Sequence, residues 1–329
     1  MAASQDVVGQ CAHCGGNASL NCSGCLRAPE YEIGDVKQTK YCGRECQTAH
    51  WPSHKAYCSP MRKRQKLLRA ARLLKAVLLV YRECTFDLDI KRIALNDGVL
   101  QLHQNLRPAS ARRQYRQFPS ELANSLEQKE AVLANNQCTT ALALFGSLAK
   151  KLLSNFTSSI ETFDLHIKSP AVRTQLVPGP DSAVCPHSVL KVGLGSESWV
   201  LDPAGCQYGF REVLVPYNKY LRGKQGTITA EPEPYSWTET KDLDFFETLP
   251  FMNTTTAQRA DRAEERRIRL HYASFVEERF GIRQQQPGAV KGLLECKPED
   301  FGGQLGGLME DLRKHMMSYM EKHGLYKQR

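Results

Sequence analysis

The stretches CAHCGGNASLNCSGC (residues 11–25) and CGRECQTAHWPSHKAYC (residues 42–58) decide how the N-terminus of this chain folds. They contain seven of the twelve cysteines in the 329-residue sequence, spaced as two CxxC pairs, a CxxxC pair and an HxxxC pair. The eight paired residues are Cys11, Cys14, Cys22, Cys25, Cys42, Cys46, His54 and Cys58. Because few large apolar side chains lie among them, we expect bound metal to replace a hydrophobic core here.

Zinc is the ion that this ligand set predicts. Zn²⁺ prefers four thiolate or imidazole donors in a tetrahedron, and a CxxC turn presents two sulfurs from one reverse turn. The CxxxC and HxxxC spacings place two donors on neighbouring turns of one helix face. Eight ligands therefore predict two Zn²⁺ ions in structural sites, since protein donors fill every coordination position.

A resemblance to a known family refines this prediction. The residues that resemble the second half of a MYND-type zinc finger are Tyr41-Cys42, Cys46-Gln47, His50-Trp51, His54-Lys55 and Cys58. The resemblance implies interleaved sites, in which one ion is held by Cys11, Cys14, Cys42 and Cys46 and the other by Cys22, Cys25, His54 and Cys58. It also implies that the finger binds short proline-containing peptides of partner proteins, often transcriptional co-regulators, rather than DNA.

Two features of the sequence distinguish this chain from other MYND proteins. Sixteen residues separate Cys25 from Cys42, more than in many members of the family, which affects the shape of the peptide groove. Some members are lysine methyltransferases that carry the finger inside a SET domain. Here ten residues precede Cys11 and no Asn-His cofactor motif follows, so we expect no SET methyltransferase.

The bulk properties narrow the kinds of partner. The net charge of +9 comes from 44 Lys and Arg against 35 Asp and Glu spread along the chain, which permits nucleic-acid binding but does not indicate it. No apolar run of about 18 residues is present, and the N-terminus lacks the features of a signal peptide. We expect an intracellular protein without a membrane span, either nuclear or cytoplasmic.

The pattern of the remaining chain predicts a mixed α+β domain and a helical tail. We expect four units: a zinc finger at 1–59, a basic amphipathic helical connector at 60–115, an α+β core at 116–222, and a linker with a charged helical tail at 223–329. The expected elements are helices at 61–82, 119–134, 138–153, 256–280 and 305–323, strands at 187–192 and 199–202, and a linker or extended crossing at 223–237.

A second group of residues suggests cysteine chemistry. NNQCTTALALFGSLAKKLL (135–153) places Cys138 at the start of an amphipathic helix, where the helix dipole stabilises a thiolate. HSVLKVGLGSESWVLDPAG (187–205) predicts a hairpin that starts at His187 and ends at Asp202.

Two hairpin registers would both bring the imidazole toward the carboxylate. If Val192 lies opposite Trp199, His187 is diagonal to Asp202 on one sheet face, whereas a tighter turn at Leu194-Gly195 would pair them directly.

The order Cys138, His187, Asp202 resembles the transglutaminase-like branch of the papain-like superfamily, over residues 116–222. The resemblance implies that Cys138 is a nucleophile, His187 its general base and Asp202 the carboxylate that orients the base. We assign no oxyanion-hole residue. Cys138 as a core thiol, or a degenerate catalytic fold reused for binding, stays open as an alternative.

Two hypotheses for function follow. The first is an intracellular zinc-binding adaptor that recruits partner proteins through its MYND finger, in transcriptional regulation. The alternative is a cysteine-dependent acyl transferase or hydrolase that the finger brings to its target.

Overall fold

The computed structural model describes residues 9–179, 185–235, 248–250, 253–281 and 288–326. Among these residues, no helix is both long enough and apolar enough to cross a bilayer. The strands are β1 (Gly9–Gln10), β2 (Asn17–Ala18), β3 (Leu20–Asn21), β4 (Lys40–Tyr41), β5 (Asp89–Asn96), β6 (Val99–Asn105), β7 (Ser159–His166), β8 (Arg173–Val177), β9 (His187–Leu194), β10 (Glu197–Leu201), β11 (Leu214–Pro216) and β12 (Thr227–Pro234). The helices are α1 (Arg44–Cys84), α2 (Leu126–Ala134), α3 (Cys138–Leu153), α4 (Tyr217–Gly223), α5 (Thr256–Arg279), α6 (Gly288–Glu295) and α7 (Pro298–Lys322).

Helix α1 joins the N-terminal module to the rest of the chain. It begins at Arg44 and continues for 41 residues, so the helix expected at 61–82 is the second half of a longer one. The first half carries metal ligands instead of an apolar stripe, which is why hydrophobic periodicity did not reveal it. The expected boundary between 59 and 60 falls inside this helix, and the division into four units stays a prediction.

A mixed α/β domain with antiparallel sheets follows the finger. Its main sheet has the order β11-β10-β9-β7-β12, with every neighbouring pair antiparallel. Helix α3 packs on β9, and the buried faces of α1, α5 and α7 complete the same hydrophobic core. This packing brings the first residue of α3 over the hairpin formed by β9 and β10.

Two strands of a second sheet, β5 and β6, lie within the segment expected to be a helical connector. Strands β5 and β6 form an antiparallel hairpin, and β8 pairs with β6 in parallel. Asp97 and Gly98 link the hairpin strands with φ angles of 48° and 76°. An Asp-Gly pair with two positive φ angles is typical of a tight hairpin turn. The helical connector expected at 60–115 is therefore helical as far as Cys84, and strands follow from Asp89 onward.

Three other elements differ in extent from the sequence prediction. Helix α2 begins at Leu126, not at 119, because Ser125 caps it by accepting a hydrogen bond from the Gln128 amide at 3.2 Å. Helix α7 begins at Pro298 rather than 305, with proline in the first turn. The segment expected as a linker or extended crossing includes strand β12, and residues 236 and 237 lie outside the described residues. As an edge strand, β12 tolerates proline.

Candidate functional site

The first group of four metal ligands is formed by Cys11, Cys14, Cys42 and Cys46. The Cys14 and Cys42 sulfurs lie 3.7 Å apart, and the Cys42 and Cys46 sulfurs 3.3 Å apart. Tetrahedral zinc with Zn–S bonds of about 2.3 Å places its sulfurs about 3.8 Å apart. The donor set and its spacing therefore fit one zinc ion.

The second group of four is formed by Cys22, Cys25, His54 and Cys58, all of them buried. The Cys22 sulfur lies 3.7 Å from that of Cys58 and 3.3 Å from Nε2 of His54. Nε2 of His54 is 3.7 Å from the Cys25 sulfur. The chain thus has two Zn²⁺ sites, interleaved as the family resemblance implied.

The long segment between Cys25 and Cys42 attaches the finger to the core. Arg64, on α1, donates from Nη2 to Asp35 of this segment at 2.7 Å and to Glu197 of β10 at 2.6 Å. The guanidinium also lies within 6 Å of the ring centres of Tyr31 and Trp199. The additional residues of the finger therefore form a contact with the α/β domain.

The hairpin of β9 and β10 has the first of the two registers considered. Val192 lies opposite Trp199. Nε2 of His187 is 3.0 Å from both carboxylate oxygens of Asp202, and both side chains are buried. The structure therefore brings these two predicted site residues together.

Among the described residues, neighbouring groups pack closely around the Asp202 carboxylate. The Tyr220 hydroxyl donates to its Oδ2 at 2.6 Å. A β-carbon placed on Gly205 would lie 2.3 Å from the same oxygen, so glycine is needed for the close approach. Burial raises the pKa of Asp202, but the charge and hydrogen bond of His187 outweigh burial and keep the carboxylate ionised.

Cys138 is the first residue of α3, and its sulfur lies 3.9 Å from the carbonyl oxygen of Pro186, the residue before His187. Burial raises the pKa of the Cys138 thiol, but the hydrogen bond and charge of His187 lower it below its ordinary value. The Ser188 backbone N–H acts in the same direction. Although burial disfavours the imidazolium, Asp202 and the Cys138 thiolate raise the pKa of His187 to about 10, so a thiolate–imidazolium pair is stable once formed.

Access to this cysteine is narrow. Cys138 is 8% exposed and His187 is 0% exposed, so within the described residues a substrate approaches the pair from the side of Cys138. The other buried thiols differ in chemistry, because burial raises the pKa of both Cys84 and Cys206 to about 12. Among these three buried thiols, Cys138 has the surroundings that favour thiolate.

Two polar residues of this site were not predicted from sequence. Gln207 lies in a short 3₁₀ helix (Gly205–Tyr208), and its Nε2 is 3.1 Å from Nδ1 of His187. Tyr220 comes from α4. Neither residue belongs to a local sequence motif. The turn that follows Asp202 was the one signal that could have indicated Gln207, because a chain that turns there brings its next residues near His187.

Comparison with known proteins identifies one part of the chain. The MYND finger family model matches residues 11–58, the region that contains both zinc sites. No curated protein and no solved structure matches the chain. Residues 11–58 are therefore a MYND zinc finger, a module that binds zinc and generally mediates protein–protein interaction.

Proposed function

We propose that the chain is an intracellular adaptor whose MYND finger recruits partner proteins through a short proline-containing peptide segment. The observation that carries this proposal is a groove of about 510 Å³ where the finger meets helices α1, α6 and α7. Ser23 and Gly24 of the second CxxC turn form one wall, and Leu294 and Pro298 form another. An intracellular location agrees with zinc binding by thiolates, because these cysteines must stay reduced.

An aromatic side chain next to the groove supports proline binding. Trp51 is half-buried, and the guanidinium carbon of Arg62, which lines the groove, lies 5.3 Å from its ring centre. A peptide that extends past Arg62 would meet this ring, and aromatic side chains bind proline-rich segments because a polyproline conformation is already ordered before binding.

The charge around the groove favours peptides that also carry acidic residues. The cationic lining residues are Arg62, Lys63, Lys66, Arg69 and Lys297, and the lining has one carboxylate, from Glu295. Because Lys66 pairs with Glu295 at 2.5 Å, the net charge of this surface stays positive.

Selection from a displayed peptide library against the zinc-loaded full chain tests this proposal. We expect the selected peptides to contain proline, with acidic residues nearby. Trp51→Ala should weaken their binding at least about tenfold, as expected for an aromatic anchor, without changing the zinc content. Selected peptides without proline, or equal binding by the variant, would contradict the proposal.

A second candidate function is cysteine-dependent acyl transfer or hydrolysis by Cys138, His187 and Asp202. The observation that favours it is His187, which bonds to Asp202 at 3.0 Å through Nε2 and contacts Cys138. The likeness of residues 116–222 to the transglutaminase-like branch is part of this proposal. A role in transcription belongs to the adaptor proposal and rests on the family of the finger.

The residues present would divide the chemistry between them. Nδ1 of His187 takes the thiol proton of Cys138, and the sulfur attacks the carbonyl carbon of an amide or ester. As the tetrahedral intermediate collapses, the leaving amine or alcohol takes the proton from His187, which leaves a thioester on Cys138. Water or an acceptor amine then attacks the thioester while Nδ1 of His187 takes its proton, and the sulfur leaves and receives that proton back from His187. Asp202 orients the imidazole throughout.

An acyl donor tests this chemistry directly. We expect p-nitrophenyl acetate to acetylate Cys138 of the folded chain faster than Cys84 or Cys206, as measured by peptide mass spectrometry. His187→Ala should slow acetylation of Cys138 selectively. Equal rates in the variant and the wild-type protein would contradict a role for the imidazole.

A further inference from the structure

The side-chain amide of Gln207 connects the backbone before Cys138 to the His187 ring. Its Oε1 accepts the backbone N–H of Asn136 at 3.0 Å. A backbone N–H can only donate, so this bond fixes which end of the amide is oxygen. The nitrogen end therefore faces His187, where Nε2 of Gln207 lies 3.1 Å from Nδ1.

This arrangement determines the hydrogen bonds of the imidazole. Since Gln207 donates, Nδ1 of His187 must accept, and Nε2 carries the proton that is donated to Asp202. The ring is then neutral, and its Nδ1 lone pair accepts the Gln207 N–H, while the Cys138 thiol donates to the Pro186 carbonyl oxygen at 3.9 Å. A donor on this lone pair stabilises the neutral imidazole and lowers its basicity toward the thiol.

We propose that Gln207 is a positioning residue that weakens His187 as a base and keeps the proton on Cys138 while the site is at rest. This proposal rests on the second candidate function. Displacement of Gln207 from Nδ1 would allow the proton to pass from the sulfur to the imidazole. The thiolate and imidazolium would then be stabilised by the surroundings already described.

The fold holds Gln207 firmly in this position. Gln207 is 1% exposed, and its carbonyl oxygen accepts the Thr174 hydroxyl at 3.1 Å. Asn136 has a φ of 56°, in the left-handed region that asparagine tolerates better than most residues. In this conformation Asn136, two residues before Cys138, directs its backbone N–H to Gln207.

Other groups also act on the thiol and imidazole, and the test must hold them constant. Those that face the pair from the neighbouring elements are Asp202, Cys206, Tyr208, Tyr220 and Lys224. Substitutions confined to residue 207 leave all of them in place. A change in the reactivity of Cys138 can then be assigned to the amide.

The test compares Gln207→Leu with Gln207→Glu in the full chain. Iodoacetamide alkylation of Cys138 is measured from pH 5 to 9 by peptide mass spectrometry. Leucine removes the donor, so we expect alkylation near pH 6 at least about fivefold faster than in the wild-type protein, with the pH profile shifted toward acid. Glutamate places a negative charge beside the forming thiolate, so we expect slower alkylation and a shift toward alkaline pH.

Three results would overturn the proposal. An unchanged profile in a folded Gln207→Leu variant would remove the role of Gln207 alone. Failure of Cys138 to react in the wild-type protein and both variants would remove the acyl-transfer function with it. If the variants do not fold, ¹⁵N NMR of the wild-type chain decides, because a directly bonded proton on Nδ1 of His187 at pH 7 is incompatible with the Gln207 donor.

Discussion

Arg64 donates from Nε and Nη2 to Glu197, at distances from 2.6 to 3.1 Å. Arg64 lies on α1, directly after the finger, and Glu197 lies at the start of β10, the strand that leads to Asp202. The zinc-binding region and the hairpin of the cysteine site are therefore connected by one buried cation.

Arg64→Ala should lower the free energy of unfolding by about 3 kcal/mol. The substitution leaves the carboxylates of Asp35 and Glu197, both largely buried, without their partner. Urea denaturation measures the change. Arg72→Ala on the exposed side of the same helix is the matched control, and we expect it to stay within about 0.5 kcal/mol of the wild-type value. Similar losses in both variants would mean that removal of any arginine from this helix, and not loss of the buried ion pair, sets the effect.

Fresh protein should contain two zinc ions per chain, as measured by metal analysis. His54→Ala and Cys42→Ser each remove one donor from a different tetrad, and each should unfold the finger because zinc supplies roughly 10–16 kcal/mol to such modules. The α/β domain should keep its cooperative transition, since residues from Leu67 onward pack in its own core. Loss of that transition would show that the finger is needed for the rest of the fold.

Cys138 should be alkylated faster near pH 6 than Cys84. The pKa of Cys138 is lowered by His187, whereas burial raises the pKa of Cys84 to about 12. His187→Ala should slow the reaction at Cys138, and Asp202→Asn should slow it less because it changes only the orientation and charge of the imidazole. A Cys138 that reacts no faster than Cys84 at any pH would support the core-thiol interpretation.

The contribution of Cys138 and His187 to the free energy of unfolding should be constant between about pH 6.5 and 8.5. Below about pH 6.5 the unfolded chain protonates both groups, whereas the folded pair resists a second proton because the pKa of Cys138 is lowered. Stability therefore falls as the pH falls. Above about pH 8.5 the unfolded chain has lost both protons, but the folded pair keeps one because the pKa of His187 is raised to about 10. Stability therefore falls again as the pH rises.

Cys138→Ala tests that assignment. Without the thiol, His187 is the remaining group of this pair whose pKa differs between the folded and the unfolded chain, because Asp202 raises it. The pH-dependent part of the stability should then decline from about pH 6.5 upward, with no plateau. Denaturation curves at half-unit pH steps compare the two proteins. An identical plateau in the variant would show that other groups produce it.

The zinc sites could be predicted because their chemistry is local. All eight ligands lie between Cys11 and Cys58, and their pair spacings match turns and helix faces that zinc uses. The hydrogen bond between His187 and Asp202 could also be predicted, since the register of one hairpin brings the two side chains together. The contact between Cys138 and His187 depends on how α3 packs on β9, and periodicity alone does not give that packing.

Other features were missed for different physical reasons. Tyr220 reaches Asp202 from a helix that follows an unrelated strand, so no spacing rule connects them. The hairpin at Asp97-Gly98 had a recognisable turn signal, but the strong helical pattern of the preceding segment was extended too far. The ligand spacings indicated helical turns before residue 59, but the continuity of α1 was missed because these turns carry metal ligands in place of an apolar stripe.

Because α1 is continuous, it fixes the rotational orientation of the finger relative to the α/β domain that follows. Each residue of an α-helix turns the following chain by about 100°. Insertion or deletion of one residue between Cys58 and Arg64 would rotate the finger about the helix axis and carry Asp35 away from Arg64. The number of residues in this segment is therefore as constrained as their identity, as are the spacings within the four ligand pairs.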